Sequence, residues 1–365
     1  MEPRHVDVLL VGGGVAAARC ARTLRRGGFG GTILLVGEEE LPPYNRPPLS
    51  KELLRGEVPD ELILAEPVSW YERRGVELRL GVPALALDPG DRVVELADGT
   101  RIRYGECLLA TGAAARMPAL PALVLRTLSD ARALRDAATG AMRATVEGGG
   151  FIGVEVAASL AARGTAVRLR CGGDRLWGGA FGDAASDWAS GVLRRAGVDV
   201  RFGADPEPAG GLLVAGIGVE PRVELAVAAG LEVDDGILVD ERQATSAAGV
   251  HAAGDVARTR DRRRVEHWHA ARESGERAGL AMLGQAVSAP RPPWIFSELG
   301  AAKLDAVGWP DVGAVEAELA PGVIGFVRDG DVIQVVVLDG AAPVELIRAL
   351  VERGATSSEV AAAAG

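Results

Sequence analysis

Two glycine clusters and a few charged side chains are the parts of this chain whose types and spacing could do chemistry. The first cluster, Gly12-Gly13-Gly14, follows the apolar run Val8–Val11 and precedes the small residues Ala16 and Ala17. Glycines there allow a tight turn and let backbone N–H groups approach a pyrophosphate. A helix starting at the turn adds a partial positive charge. Glu38 closes a second apolar run, Ile33–Val36, where an acid can accept hydrogen bonds from a ribose. The second cluster begins at Thr145, and Gly148, Gly150 and Gly153 form GxGxxG between a short strand and an Ala-rich helix. Such glycines also occur in ordinary strand–helix–strand units. Strand, glycines, helix, second strand and terminal acid in that order point to a dinucleotide.

The elements that must position these residues are of the α/β kind. Val8–Val11 is long enough for a buried parallel strand, and Ala16–Arg26 reads as a helix. Val76–Leu80, Val93–Leu96 and Arg101–Leu109 read as strands, with turn signals at Asp88-Pro89-Gly90-Asp91 and Asp98-Gly99. A second such unit starting at Thr145 makes the architecture a duplicated one. A third unit, residues 290–365, shows strand-like runs Val323–Arg328 and Val332–Leu338 and a helix over Pro343–Arg353.

Composition narrows the function further. A chain of 365 residues has room for two or three domains. No stretch reaches the roughly 18 uninterrupted apolar residues of a membrane span, and MEPRHVDVLL enters a strand without a signal-peptide cleavage site. Cys20, Cys107 and Cys171 lie far apart with no CxxC, so no redox disulfide or thiolate metal site is expected. The four histidines suggest no metal cluster either. A net charge of −10 argues against general nucleic-acid binding. A cytoplasmic protein is the expectation, with the oligomeric state open.

Between Glu39 and Lys51, prolines 42, 43, 47 and 48 forbid a regular helix and predict a stiff, extended loop that carries Arg46, Ser50 and Lys51. It is either a connector with solvated charges or a rigid arm that holds two cations against an anionic cofactor. Within it, YNRPPLSKELL resembles the YxRPPLSK segment of the FAD-dependent ferredoxin and rubredoxin reductases, the putidaredoxin reductase-like group. LLATG at Leu108–Gly112, LRTLSDARAL around Arg126, GGGFIGVE, HAAGDV, VEHWHAARESGERAG and PRPPWIFSELG resemble further segments of that family. The resemblance covers nearly the whole chain, specifically in its FAD half and more thinly in its nucleotide half.

What the resemblance implies is an FAD-binding domain over 1–115 and 234–290, an inserted and shortened NAD(P)-binding domain over 116–233, and a C-terminal α+β domain over 291–365. The two nucleotide domains would be nested and Rossmann-like. It implies FAD contacts from Gly12, Gly14, Ala16, Ala17, Glu38, Arg46, Ala84, Arg126 and Asp255, and a nicotinamide nucleotide at Gly148, Gly150 and Gly153. Lys51 would lie beside the isoalloxazine ring, Glu155 would pair with it near N5, and the helix carrying Trp268 would point its N-terminus at the N1–O2 edge. As plain residues, Arg126 is a helix-capping candidate, Glu155 an exposed first-turn acid and Trp268 a helix-core aromatic. The implied activity passes electrons from NAD(P)H through FAD to a ferredoxin-type iron–sulphur protein. The run Arg258–Arg264, with five arginines, is either a docking patch for that acidic partner or a solvated loop.

The second unit departs from the family in four places. Glu147 ends the strand before its glycines. Its second strand, Ala166–Cys171, ends in Cys171 instead of an acid, with Arg168 and Arg170 before it. Gly178-Gly179 stand where the family commonly carries an arginine, and only Ala204–Gly211 separates two strands where the family has a hairpin. The arginines favour a 2′-phosphate, hence NADPH, or simply face solvent. Equally, the departures fit an FAD oxidoreductase whose nicotinamide site is degenerate, acting on a small molecule or within a larger complex. A non-catalytic FAD-stabilised partner protein is the third reading.

Overall fold

A computed structural model describes residues 3–119, 121–203, 211–260, 263–309 and 313–365. The chain divides into two compact units. One comprises Met1–Asn45, Asp60–Ala114 and Glu220–Pro290, the other Arg46–Pro59, Ala115–Val219 and Arg291–Gly365.

In the first unit a sheet runs in the order Val76–Arg79, Ile33–Val36, Arg4–Val11, Arg101–Leu109, Val93–Leu96, Ala84–Asp88, with Val250–Ala252 also paired to Arg101–Leu109. The first four strands and Val250–Ala252 are parallel, and the last two antiparallel. Leu9, Leu10, Leu34 and Leu35 are fully buried because both faces of the parallel part are covered, which is why these strands read as continuous apolar runs. The register Val8↔Ile33 to Val11↔Val36 ends the two strands level. Gly12 therefore leaves one strand where Gly37 leaves the other.

Helix Val15–Arg26 begins one residue earlier than its sequence signal and packs against helix Trp268–Met282 through small residues. A Cβ on Gly275 would lie 2.2 Å from the Ala16 carbonyl oxygen, and one on Gly279 would lie 2.9 Å from Thr23 Cβ. Only glycine permits so close a backbone approach. Ala226 and Leu231, from the stretch after Glu220, join the core with Leu9, Leu109 and Val250.

The second unit holds a parallel sheet in the order Asp199–Phe202, Ala166–Cys171, Arg143–Glu147, Leu212–Ala215, Leu123–Val124. It also holds an antiparallel sheet in the order Trp294–Leu299, Ala302–Gly308, Asp331–Leu338, Val323–Arg328, Val315–Ala320. Helices Val344–Glu352 and Ser357–Ala364 complete a core around Val335, Val337 and Ile347. Thus the C-terminal part has strands at Trp294–Leu299, Ala302–Gly308 and Val315–Ala320 and a last helix beyond those the sequence pattern picks out. The proline loop is not extended throughout, since Pro47–Ser50 forms a 3-10 helix with proline at its first two positions, where the missing N–H is harmless. Of the short Ala204–Gly211 connection, residues 204–210 lie outside the described residues.

Candidate functional site

The first turn is built as a phosphate cradle. Gly12 has φ +122°, and a Cβ there would fall 2.1 Å from the Ala110 carbonyl oxygen, so only glycine can occupy it. Gly14 caps helix Val15–Arg26, and a Cβ on it would meet nothing within 4 Å. The space in front of the helix N-terminus is therefore open at the point where a pyrophosphate would bind. Ala16 and Ala17 are buried behind it. Gly254, with φ +80°, puts its own Cβ position 3.2 Å from Ala16 Cβ and donates no side chain to the contact. Its N–H instead bonds Ser274 Oγ at 2.9 Å, and this fixes Asp255 beside the same helix start. Glu38 is half-exposed and paired with Arg222, whose hydrogen bond holds its carboxyl below the usual carboxylate range. Ala84 opens an edge strand opposite Leu96. Trp268 heads its helix and donates from Nε1 to Asn45 Oδ1 at 2.8 Å.

The second turn repeats the backbone. Gly148 has φ +110° and a Cβ position 2.2 Å from the Gly216 carbonyl oxygen. Gly150 caps helix Phe151–Ala162, and a Cβ on it would have its nearest neighbour 3.9 Å away. A Cβ on Gly153 would fall 1.8 Å from the Gly148 carbonyl oxygen. The ribose end differs. Cys171 is buried, and its Sγ lies 2.8 Å from where a Cβ on Gly149 would be. Burial and the nearby Glu147 charge push its thiol up to about 11. Trp177 closes over the turn, its backbone N–H bonding the Gly149 carbonyl at 2.7 Å. It has a left-handed φ of +56°, uncommon for so bulky a residue, and its ring packs on Phe151 and Phe181. Its indole N–H is buried without an acceptor among the described residues.

Arg168 and Arg170, two residues apart, face the same side of their strand, yet only Arg168 is exposed. Arg168 pairs with Asp199 at 2.9 Å. Arg170 is buried against its cross-strand neighbour Glu147 at 2.9 Å. Both are thereby engaged within the sheet, and Arg170 matches the Glu147 charge beside the second glycine turn.

A third cluster lies in the second unit. Glu155, in the opening turns of helix Phe151–Ala162, is 3% exposed, so it is not a solvated first-turn acid. Its Oε2 accepts from Lys51 Nζ at 2.8 Å and from Ser50 Oγ at 2.5 Å, and its Oε1 accepts from Ser297 Oγ at 2.9 Å. Lys51 Nζ also reaches the Pro47 carbonyl at 3.2 Å and sits 5.7 Å from the centre of the Phe296 ring. The arm is clamped to the helix by Ser159 Oγ donating to the Ser50 carbonyl at 2.6 Å and Arg163 Nη1 donating to Leu54 at 2.8 Å. A buried ion pair persists only when its remaining oxygens are satisfied, and here the two serines do that. Ser297, fully buried, comes from the antiparallel sheet and carries no local sequence signal for this contact. Arg126 precedes helix Leu128–Ala138, but the cap is Thr127, with Asp130 completing a capping box. Arg46 sits at the head of the Pro47–Ser50 turn.

The arginine run is largely neutralised where it stands. Arg258 pairs with Asp234 at 2.6 Å, Arg260 with Glu232 at 2.6 Å, and Arg264 with Asp235 and Glu266 at 3.1 and 2.6 Å. Arg262 lies outside the described residues. Among those described, no group of His, Cys, Asp and Glu could hold a metal, the three cysteines are free and buried, and no helix is long and apolar enough to cross a membrane.

The pyridine nucleotide-disulphide oxidoreductase family matches residues 6–211 and 207–275. The chain belongs to this family. It is 33% identical over 380 residues to the ferredoxin--NAD(+) reductase subunit of a benzene 1,2-dioxygenase system from Pseudomonas putida, covering 94% of this chain and 92% of the relative. It is also 33% identical over 371 residues to a ferredoxin--NAD(P)(+) reductase from a Sphingomonas species, covering 91% and 89%. Among solved structures, putidaredoxin reductase in its covalent complex with putidaredoxin superposes with a TM-score of 0.88 at 29% identity, covering 96% of this chain and 93% of that one. The mixed α/β fold with two dinucleotide-type parallel sheets is that of this family. The chain lacks a CxxC, so its family's name does not describe its own cysteines. Gly14's open front and the Asp255 loop fit a resident FAD. The second turn fits a nucleotide's pyrophosphate better than its ribose diol, for which Cys171 offers no carboxylate.

Proposed function

We propose that the protein is an FAD-dependent NAD(P)H:ferredoxin reductase, feeding electrons to an iron–sulphur protein that serves a partner oxygenase. The observation that carries this reading is the buried ion pair between Lys51 and Glu155, locked by Ser50 and Ser297, with Glu155 on the helix that follows the second glycine turn. FAD, when bound, supplies the conversion of a two-electron hydride into single electrons. The N–H groups around Gly12–Gly14 and the start of helix Val15–Arg26 would hold its pyrophosphate, Glu38 its ribose, and Arg46, Ala84, Arg126 and Asp255 further parts. Lys51, balanced by Glu155, would set the charge at flavin N5, and the Trp268 helix would direct positive charge at the N1–O2 edge. Gly148, Gly150 and Gly153 would receive NAD(P)H. In this reading residues 1–115 and 234–290 serve FAD, 116–233 the nicotinamide nucleotide, and 291–365 cover and partner contact. The cytoplasm, which keeps thiols reduced, suits its three free cysteines.

A second reading rests on Cys171 and Trp177, which crowd the ribose end of the second turn. It keeps FAD and weakens the nicotinamide site. Anaerobic titration of the purified flavoprotein with NADH and NADPH separates the two. Bleaching of the flavin band by either nucleotide at near-stoichiometric amounts supports the reductase. Bleaching by dithionite alone favours the second reading, and a protein that retains no flavin sinks both.

A further inference from the structure

A cavity of about 140 Å³ opens in the first unit between helix Val15–Arg26 and the start of helix Trp268–Met282. Its polar walls are Arg19, Arg22, Asn45, Glu66, Trp268 and Arg272. Two of its arginines are matched, Arg19 by Glu276 at 2.5 Å and Arg22 by Glu66. Arg272 has no carboxylate within ion-pair reach among the described residues. Its guanidinium instead lies 4.4 Å from the centre of the Trp268 ring, which is itself fixed by the Trp268–Asn45 hydrogen bond. Burial, then the charges of Arg19 and Arg22, outweigh the acids Glu276 and Glu66 and hold its pKa below the usual arginine value.

We propose that this pocket seats an aspartate or glutamate side chain of the acidic iron–sulphur protein that accepts the electrons, with Arg272 as its anchor. The proposal rests on the reductase reading above. The volume is far below the several hundred Å³ of a nucleotide or cofactor site, but it admits one carboxylate. A guanidinium offers the forked donors a carboxylate matches, and one already stacked on an aromatic face loses little freedom when it binds. The helix that Trp268 heads is the one expected to point at the flavin's N1–O2 edge, so an acceptor anchored on Arg272 beside Trp268 is held within reach of the electrons. The Arg258–Arg264 run, with Arg258, Arg260 and Arg264 already paired to acids, offers less free charge for the purpose.

The chain's cations include only two lysines, buried Lys51 and half-exposed Lys303, and this makes a clean chemical test possible. Putidaredoxin and a dioxygenase-system [2Fe–2S] ferredoxin serve as probes, and the one that the FAD-loaded wild type reduces faster is taken forward. Arg272→Gln should raise KM for that ferredoxin about tenfold, the loss of one charge-assisted contact, while kcat at saturation holds. Arg272→Lys, treated with a zero-length carbodiimide, should yield a cross-linked peptide joining position 272 to a ferredoxin carboxylate, and the yield should fall as salt rises. Cross-links confined to Lys303, together with an unchanged KM in Arg272→Gln, overturn the pocket and leave the reductase reading standing. Reduction of neither ferredoxin with either nucleotide overturns the reading, and the pocket with it.

Discussion

At the first turn Gly12 abuts the carbonyl of Ala110, and at the second Gly148 abuts that of Gly216, each with a positive φ that no side chain would tolerate. Both turns then hand over to a helix capped by a glycine with open space before it, Gly14 in one and Gly150 in the other. Beyond the pyrophosphate end the likeness stops. Glu38 is a half-exposed acid steadied by Arg222, whereas Cys171 is a buried thiol facing Gly149 under the Trp177 turn. Backbone packing enforces the first feature, since a Cβ at Gly12 or Gly148 would collide with the carbonyl just past the end of a neighbouring strand. A single side chain carries the second.

The widest test of this contrast is to put a methyl group on the enforced positions. Gly12→Ala and Gly148→Ala should each cost on the order of 3 kcal/mol or more, from left-handed strain plus overlap with a carbonyl. Urea denaturation of each variant measures it, and a loss well under 1 kcal/mol at either site would show that the turn yields. Next come the open positions. Gly14→Val should match the flavin-free wild type in denaturation midpoint yet abolish flavin retention. Gly150→Val should retain flavin and block its reduction by NAD(P)H. A Gly14→Val protein that purifies with its full flavin absorbance removes the first turn from the cofactor site.

The ribose end should respond less. Cys171→Glu should move preference toward NADH by about tenfold, as one charge-assisted hydrogen bond would. The ratio of kcat/KM for NADH and NADPH reads the shift, and an unaltered ratio would mean that position 171 does not touch the ribose. Smallest is the ion pair of the first turn. Arg222→Met should change stability by under about 1 kcal/mol, because both partners are half-exposed. Glu38 has a lowered pKa in the folded state, so the pair's contribution is present at neutral pH and fades as pH falls through that pKa. Wild type and variant should therefore converge in stability under acid conditions, and a gap that persists there would point to lost packing instead.

Both glycine turns and their flanking strands are legible in the sequence because their signals are local, a few adjacent residues each. The YNRPPLSK and GGGFIGVE segments likewise carry the resemblance that suggests pairing Lys51 with Glu155, which the structure places 2.8 Å apart. What the sequence hides is set by distant contacts. Ser297 meets Glu155 across a separation of 142 residues, and nothing around it in PPWIFSELG marks a hydrogen-bond donor aimed at a carboxylate. The arginine run reads as bare charge until Glu232, Asp234 and Asp235 are seen beside it. Arg168 and Arg170 share one strand face, and only the cross-strand register with Glu147 separates their fates. The left-handed Trp177 has no residue-type signal either, since the glycines beside it are the ones that ordinarily take such a conformation.

The first unit is assembled from three stretches of chain, the last of which runs to Pro290 of 365 residues. During synthesis, strand Arg101–Leu109 waits for its neighbour Val250–Ala252, and helix Val15–Arg26 for the glycines of Trp268–Met282. At ribosomal rates of roughly 5–20 residues per second, that is a delay of many seconds, with Leu108 and Ala16 uncovered on one side. Chains stalled just after Val219 should therefore be cut readily within the first hundred residues by a protease, and chains released past Pro290 should resist.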